Sequence, residues 1–231
     1  MQWNFYLSGI LYGRFYEEGQ GVFVSRRDAM SGDWLSKEPL DEETDEYFEH
    51  LCKRSLREFF CHLKEYEEMI EKGVEHGVTA SGEEYTKRRT EAYIQRNCKA
   101  AKDLFYEDGK IYALLMSARD YTAVLVREGC EEKTVLSKWR EMYPEEPTNV
   151  SFVGTFFVDT RDGEKLSTDV YLPKKEGEKA GQKVPTVLVR TPYGKKRGVE
   201  IYYRFVQRGY ALVMQDTRGR EESTGKWEPN Y

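Results

Sequence analysis

The side chains of this 231-residue chain that could do covalent or acid–base chemistry are unevenly spread. Its only histidines are His50, His62 and His76, all in the first third of the sequence, and no Gly-x-Ser-x-Gly occurs anywhere. A serine raised on a sharp turn beside a general base is therefore not visible. Ser223, flanked by Thr224 and Gly225, is expected to be a turn-forming hydroxyl. Asp216, Arg218 and Gly219 follow an apolar run that reads as a strand, and the C-terminal ends of strands are where open α/β sheets place ligands. An Asp and an Arg two positions apart there more often fix a loop, by hydrogen bonds and an ion pair, than act on a substrate. Cys52, Cys61, Cys98 and Cys130 lie far apart, without a CxxC or a histidine at zinc spacing, and read as free thiols. Cys61 and His62 are neighbours on a helical pattern and point about 100° apart. Gly19-Gln20-Gly21 is too short and isolated to cradle a phosphate. No cofactor or metal site is expected.

The elements needed to position such groups are clearest after Val150. Phe152 to Val158 is β-branched and aromatic, Thr160-Arg161-Asp162-Gly163 is a reversal, and Leu166 to Leu172 is the return strand, stopped by Pro173, so a hairpin is predicted. Lys174 to Lys183 reads as a charged loop. Val184 to Thr191 and Tyr210 to Gln215 are short apolar runs of the kind buried on both faces of a parallel sheet. Between them Gly198 to Arg208 predicts a helix with Ile201, Tyr202, Phe205 and Val206 on its apolar face and Gly209 as its C-cap. Strand, helix and strand of these lengths imply a parallel crossover.

Upstream the periodicity reads as helical. Phe48, Leu51, Cys52, Leu56, Phe59, Leu63, Tyr66, Met69 and Ile70 predict one long amphipathic helix over 41–72, with acids in its first turn and Gly73 after its last. Ser81-Gly82-Glu83-Glu84 reads as a capping box opening a second helix through about Phe105, ended by Asp108-Gly109. Ile111, Leu114, Leu115, Ala118, Thr122, Leu125 and Val126 predict a third helix stopped by Gly129, and Val135, Leu136, Trp139 and Met142 a fourth, before Pro144. The stretch before Leu40, crowded with Trp3, Phe5, Tyr6, Tyr12, Phe15 and Tyr16, fits either a short helix and a strand or an aromatic arm. The expectation is a small helical bundle over residues 1–149.

The blocks Arg161-Asp162-Gly163, Leu166 to Pro173, Arg190-Thr191-Pro192-Tyr193-Gly194-Lys195, Phe205 to Tyr210 and Gln215-Asp216-Thr217-Arg218-Gly219-Arg220, followed by Ser223, Gly225 and Trp227, resemble the cocaine esterase-like and X-Pro dipeptidyl-peptidase-like (CocE/NonD) serine hydrolases. Five ordered blocks over some 80 residues make a specific pattern. The resemblance covers roughly the last third of the chain and implies the N-terminal part of an α/β-hydrolase domain over 150–231, so the expected fold is α/β, with the helical region 1–149 before it as a cap or oligomerisation element. It implies an acyl-enzyme mechanism on an ester, an amide or an X-Pro peptide. The nucleophile elbow would lie beyond Tyr231, so the chain alone is expected to be inactive. The resemblance also assigns Tyr193 as a catalytic residue, its hydroxyl donating to the oxyanion. The phenol suits the task, since with an ordinary pKa near 10 it is a neutral donor at pH 7. One departure concerns the loop after the fourth strand: where the family commonly has glycine, this chain has Glu221, whose Cβ resists positive φ.

The formal net charge of −5 gives no electrostatic footprint for nucleic acid, and no apolar run reaches membrane-spanning length. Without a basic region followed by an apolar core, the N-terminus does not read as a signal peptide, and a cytoplasmic location is expected. The expected partner is a small-molecule ester, amide or peptide substrate, with the helical region available for homo-oligomerisation. The alternative is a non-catalytic helical protein-interaction module carrying a remnant of a hydrolase.

Overall fold

A computed structural model of the protein describes residues 1–88, 91–98, 100–118, 121–174 and 183–229. It divides into two compact units, one formed by Met1–Arg27 and Trp34–Pro144, the other by Asp28–Asp33 and Glu145–Tyr231.

The first unit is not a helical bundle. It is built on a ten-stranded sheet of β1 (Gln2–Leu7), β2 (Ile10–Glu18), β3 (Gly21–Arg26), β4 (Glu38–Pro39), β5 (His76–Val78), β6 (Glu84–Lys87), β7 (Ala92–Gln95), β8 (Ala101–Glu107), β9 (Lys110–Ser117) and β10 (Thr122–Arg127). The order is β4-β3-β2-β1-β10-β9-β8-β7-β6-β5 with antiparallel neighbours, so β1 and β10 close the centre, Trp3 opposite Arg127. The aromatic N-terminus is thus strand rather than arm.

Helices α1 (Glu42–Cys52) and α2 (Leu56–Glu71) cover one face of this sheet. Phe48 packs edge-on against Phe5 and Phe15, and Phe59 and Phe60 both pack against Trp3. Gly13 of β2 leaves room for that packing, since a Cβ there would lie 3.0 Å from the Phe48 ring. Against the other face α3 (Leu136–Met142) sets Leu136 beside Tyr6, Ala113, Val124 and Val126. Strands covered on both faces carry nearly continuous apolar runs rather than alternation. That is why β9 and β10, and the weaker β6 to β8, carry a pattern that a helical reading also fits. The Asp108-Gly109 pair is not a helix stop but the two-residue turn between β8 and β9, with φ of 50° and 76°, the positive values that a type I′ hairpin requires.

The single helix expected over 41–72 is two. Lys53 adopts a left-handed φ of 58° and ends α1, and Ser55 caps α2 by accepting from the Glu58 amide. The buried Asp45 carboxylate accepts from Ser55 Oγ and from the Leu56 and Arg57 amides, which gives the first turn of α2 the acceptors it lacks. Ser81-Gly82-Glu83-Glu84 does not open a helix. Glu83 lies just before β6 and turns its carboxylate into a polar cluster, where Arg54, Tyr66, Tyr85 and Gln95 all donate to it.

The second unit holds a four-stranded sheet of β11 (Asn149–Asp159), β12 (Lys165–Lys174), β13 (Thr186–Thr191) and β14 (Ala211–Asp216), in the order β11-β12-β14-β13. β11 and β12 form the expected hairpin, β14 runs antiparallel to β12, and β13 and β14 are parallel. Pro173 lies inside β12 rather than ending it. It stands opposite Val150, past the last pair that β12 makes with β14, so its missing N–H removes no bond on that side. The connection between β13 and β14 is a turn of 3₁₀ helix, Val199–Tyr202, and a single α turn, α4 (Tyr203–Val206), followed by Gly209 at φ 90°. Its buried apolar side chains are Val199, Tyr203 and Val206, one position away from much of the expected face. They pack with Tyr171, Leu212 and Met214, and with Val187 and Val189 of β13. The opposite face of β13 is not covered among the described residues: Leu188 is 51% exposed, contrary to the expectation of burial on both faces. Most of the charged loop, 175–182, lies outside the described residues, as do Arg119 and Asp120. Among the described residues no helix is long and apolar enough to cross a membrane. Strand dominates the chain, and the helical N-terminal region is not found.

Candidate functional site

Where β13 ends, Pro192, Tyr193 and Gly194 form a tight bend. The Tyr193 amide donates to Thr191 Oγ1 (3.1 Å), Gly194 takes φ 96°, and the Gly194 carbonyl accepts from the Arg197 amide (3.1 Å). The Tyr193 ring is 72% exposed, and its hydroxyl makes no hydrogen bond among the described residues. The donor assigned from sequence therefore stands free at the C-terminal edge of a parallel strand pair.

Behind it lies a buried ionic cluster that sequence reasoning missed. Lys195 Nζ, with its side chain only 2% exposed, donates to Glu222 Oε2 (2.6 Å) and Asp216 Oδ2 (3.3 Å) and stands 3.8 Å from Asp169 Oδ1. Asp216 also accepts the Lys195 amide on Oδ1 (2.7 Å), so one carboxylate holds both ends of the residue. Thr155 of β11 donates to Asp169 Oδ1, Ser167 of β12 donates to Glu222, and Lys196 pairs with the other Glu222 oxygen. Burial works against the charge on Lys195, but Glu222, Asp169 and Asp216 together outweigh it and hold its pKa above the ordinary lysine value. The same lysine, aided by Lys196 and Ser167, draws Glu222 down to about 2. Among the described residues no group of three or more His, Cys, Asp and Glu is arranged to hold a metal ion, and these three carboxylates converge on an ammonium instead.

The segment after β14 serves the same bend. Arg220 Nε donates to the Pro192 carbonyl (2.9 Å), and its guanidinium lies over the Trp227 ring. Arg218 does not pair with Asp216. It reaches the β11–β12 turn and grips Asp162 through two bonds of 2.6 and 2.7 Å, which hold the Asp162 carboxyl well below its usual range. Gly219 packs its backbone on that of Lys226 and Trp227, and a Cβ there would sit 2.2 Å from the Trp227 nitrogen. Glu221 occupies the position where the sequence raised a question of backbone path, and it takes the left-handed φ, 49°, despite its side chain. Ser223 is buried, donates to the Asp216 carbonyl and accepts from the Ser167 amide (both 2.9 Å), a strut between segments with no histidine anywhere in its unit. A cleft of about 650 Å³ opens beside the bend, lined by Arg190, Pro192, Thr217, Arg218, Lys226, Trp227 and Glu228.

Residues 162–231 match the X-Pro dipeptidyl-peptidase (S15) family model. Cocaine esterase of Rhodococcus sp. (strain MB1 Bresler) is 38% identical over 88 residues, which cover 36% of this chain and 14% of that relative. The resemblance expected from the five blocks thus holds, and the likeness is to hydrolases. The S15 match begins at Asp162, the partner of Arg218, and takes in Tyr193, Lys195, Asp216 and Glu222. Within it the sequence signal for Lys195 was adjacency alone, since it ends the same block as Tyr193. Asp169 and Ser167 gave less signal, being polar residues in a run that reads as strand. Their partners, Lys195 beside Asp169 and Glu222 beside Ser167, come from other segments of the chain.

Proposed function

We propose that this chain contributes the oxyanion arm of a serine hydrolase that cleaves an ester, an amide or an X-Pro peptide bond through an acyl-enzyme. The observation that carries this reading is Tyr193, a phenol without a partner among the described residues, on a backbone fixed from both sides, within a segment that matches a hydrolase family. In acyl transfer a nucleophilic oxygen bonds to the carbonyl carbon, the carbonyl π pair moves to its oxygen, and collapse of that alkoxide expels the alcohol or amine with a proton. A donor aimed at the alkoxide contributes about 3 kcal/mol to the barrier reduction. Tyr193 is suited to be that donor because a phenol carries an O–H to donate and, among the described residues, its hydroxyl makes no bond that it would have to break first.

The nucleophile and its base are assigned to polypeptide other than these 231 residues. The absence of a Gly-x-Ser-x-Gly and the confinement of histidine to His50, His62 and His76 support this, as does a match spanning only 14% of the curated relative's length. In a catalytically competent protein carrying this chain, Tyr193→Phe is expected to lower kcat by roughly 10²–10³ with KM and folding nearly unchanged. A folded variant with undiminished kcat overturns the assignment.

A further inference from the structure

A hydrogen-bond donor whose side chain packs against little can be aimed only by its backbone. Tyr193 is such a donor: its ring is 72% exposed and its hydroxyl bonds to nothing among the described residues. The bend that carries it is fastened on both sides. Before Tyr193, the Pro192 carbonyl accepts from Arg220. After it, Lys195 is fixed through its amide to Asp216 Oδ1 (2.7 Å) and through its ammonium to Glu222 (2.6 Å) and Asp216 (3.3 Å), with Asp169 at 3.8 Å. Gly194, at φ 96°, turns the chain between the two fastenings.

The ammonium is the costlier fastening, and its cost makes it informative. Lys195, Asp216 and Asp169 have side chains no more than 2% exposed, and burying an ion pair is repaid only by good geometry and further hydrogen bonds. Asp169 Oδ2 is left without any partner among the described residues. A cluster with two buried carboxylates for one buried ammonium is a poor way to stabilise a sheet that an apolar side chain could pack as well. It is an effective way to specify one position for the residue that carries the ammonium.

We infer that Lys195 is a positioning residue, one whose buried ammonium, gripped by Glu222 and Asp216 beside Asp169, fixes the backbone of the Pro192–Lys195 bend and so the direction of the Tyr193 hydroxyl. The inference rests on the oxyanion role proposed for Tyr193. It separates the bend into a residue that touches the reacting carbonyl and a residue that acts only through it.

The test is a double-mutant cycle, because a residue acting through Tyr193 has nothing to lose once the hydroxyl is gone. In the competent protein, Lys195→Met is expected to lower kcat tenfold or more with KM changed less than twofold. In the Tyr193→Phe background the same substitution is expected to change kcat less than twofold. In the 231-residue chain itself, amide hydrogen exchange over residues 193–196 should accelerate tenfold or more in Lys195→Met. Equal losses of kcat in both backgrounds, or unaltered exchange, overturn the inference. If Tyr193→Phe leaves kcat intact, the oxyanion reading falls by itself, and the exchange rate alone then decides whether Lys195 holds the bend. Should Lys195→Met fail to fold, Glu222→Gln takes its place in the cycle. That carboxylate is 46% exposed, and the expected loss is threefold or more with Tyr193 present and none in the Tyr193→Phe background.

Discussion

Replacing Glu83 by glutamine should cost the first unit about 3–4 kcal/mol at pH 7. Arg54 has a side chain 4% exposed and Glu83 one 16% exposed, and the carboxylate accepts from both terminal nitrogens of Arg54, from Tyr66 (2.6 Å), from Tyr85 (3.3 Å) and from Gln95 (3.1 Å). Glutamine keeps the shape but removes the charge and turns an NH2 toward donors, leaving a buried guanidinium uncompensated, a change that typically costs about 3–5 kcal/mol. The titration of Glu83 gives a second measure. Burial raises its pKa, but the Arg54 hydrogen bonds and charge, with Tyr66, more than reverse this and bring it to about 2 from an ordinary 4.5. A depression of that size corresponds to about 3 kcal/mol. Because the folded pKa is the lower one, the contribution is complete above pH 4.5 and is lost as pH falls toward 2. Urea unfolding followed by far-UV circular dichroism on both proteins at pH 7, 4.5 and 3.5 checks this. The difference between them should be constant down to about pH 4.5 and then narrow by about 1.4 kcal/mol per pH unit. A difference below about 1 kcal/mol at pH 7, or one that stays constant down to pH 3.5, refutes the reasoning, which treats the pair as buried and charge-dependent.

Two further outcomes concern the second unit. Glu221→Gly should raise stability in urea by about 0.5–1 kcal/mol, since the left-handed φ of 49° strains any residue with a Cβ by more than glycine adds to the entropy of the unfolded chain; a less stable variant would show that the Glu221 side chain supports the bend through its packing near Gly194. The 231-residue chain alone should take no label from a fluorophosphonate and hydrolyse no p-nitrophenyl ester above background, read by mass spectrometry and absorbance, whereas stoichiometric labelling of Ser223 would move the active site into this chain.

The second unit was legible because its signals are local. Asp162-Gly163 marks a hairpin, the β-branched runs flanking Gly198 to Arg208 mark parallel strands, and the Tyr193 block spans the end of β13 at Thr191. The first unit misled because its sheet is covered on both faces. In β10 the four residues Ala123 to Val126 are all buried, so no alternation survives to distinguish strand from helix. Ser8-Gly9 and Asp108-Gly109 were the available corrections, being pairs that link Leu7 to Ile10 and Glu107 to Lys110. The ionic cluster around Lys195 was less legible still. Asp169, Lys195, Asp216 and Glu222 come from separate segments, and only the fold brings their charges together.

The central seam of the first sheet sets a timetable for its assembly. Trp3 pairs with Arg127, which is made 124 residues after it, so β1 has a partner on one side as soon as β2 is made but must wait for its other neighbour until β10 follows. At typical synthesis rates that interval is roughly 6–25 s, far longer than a hairpin takes to form. Through it the β1–β2–β3 meander holds an apolar edge and the ring faces of Trp3, Phe5 and Phe15, which α1 and α2 can cover before β10 arrives. The two helices thus lie between the halves of the sheet in sequence as they lie against it in space. A nascent chain can shelter its first strands against them during the interval in which those strands are most exposed to pairing with the wrong neighbour.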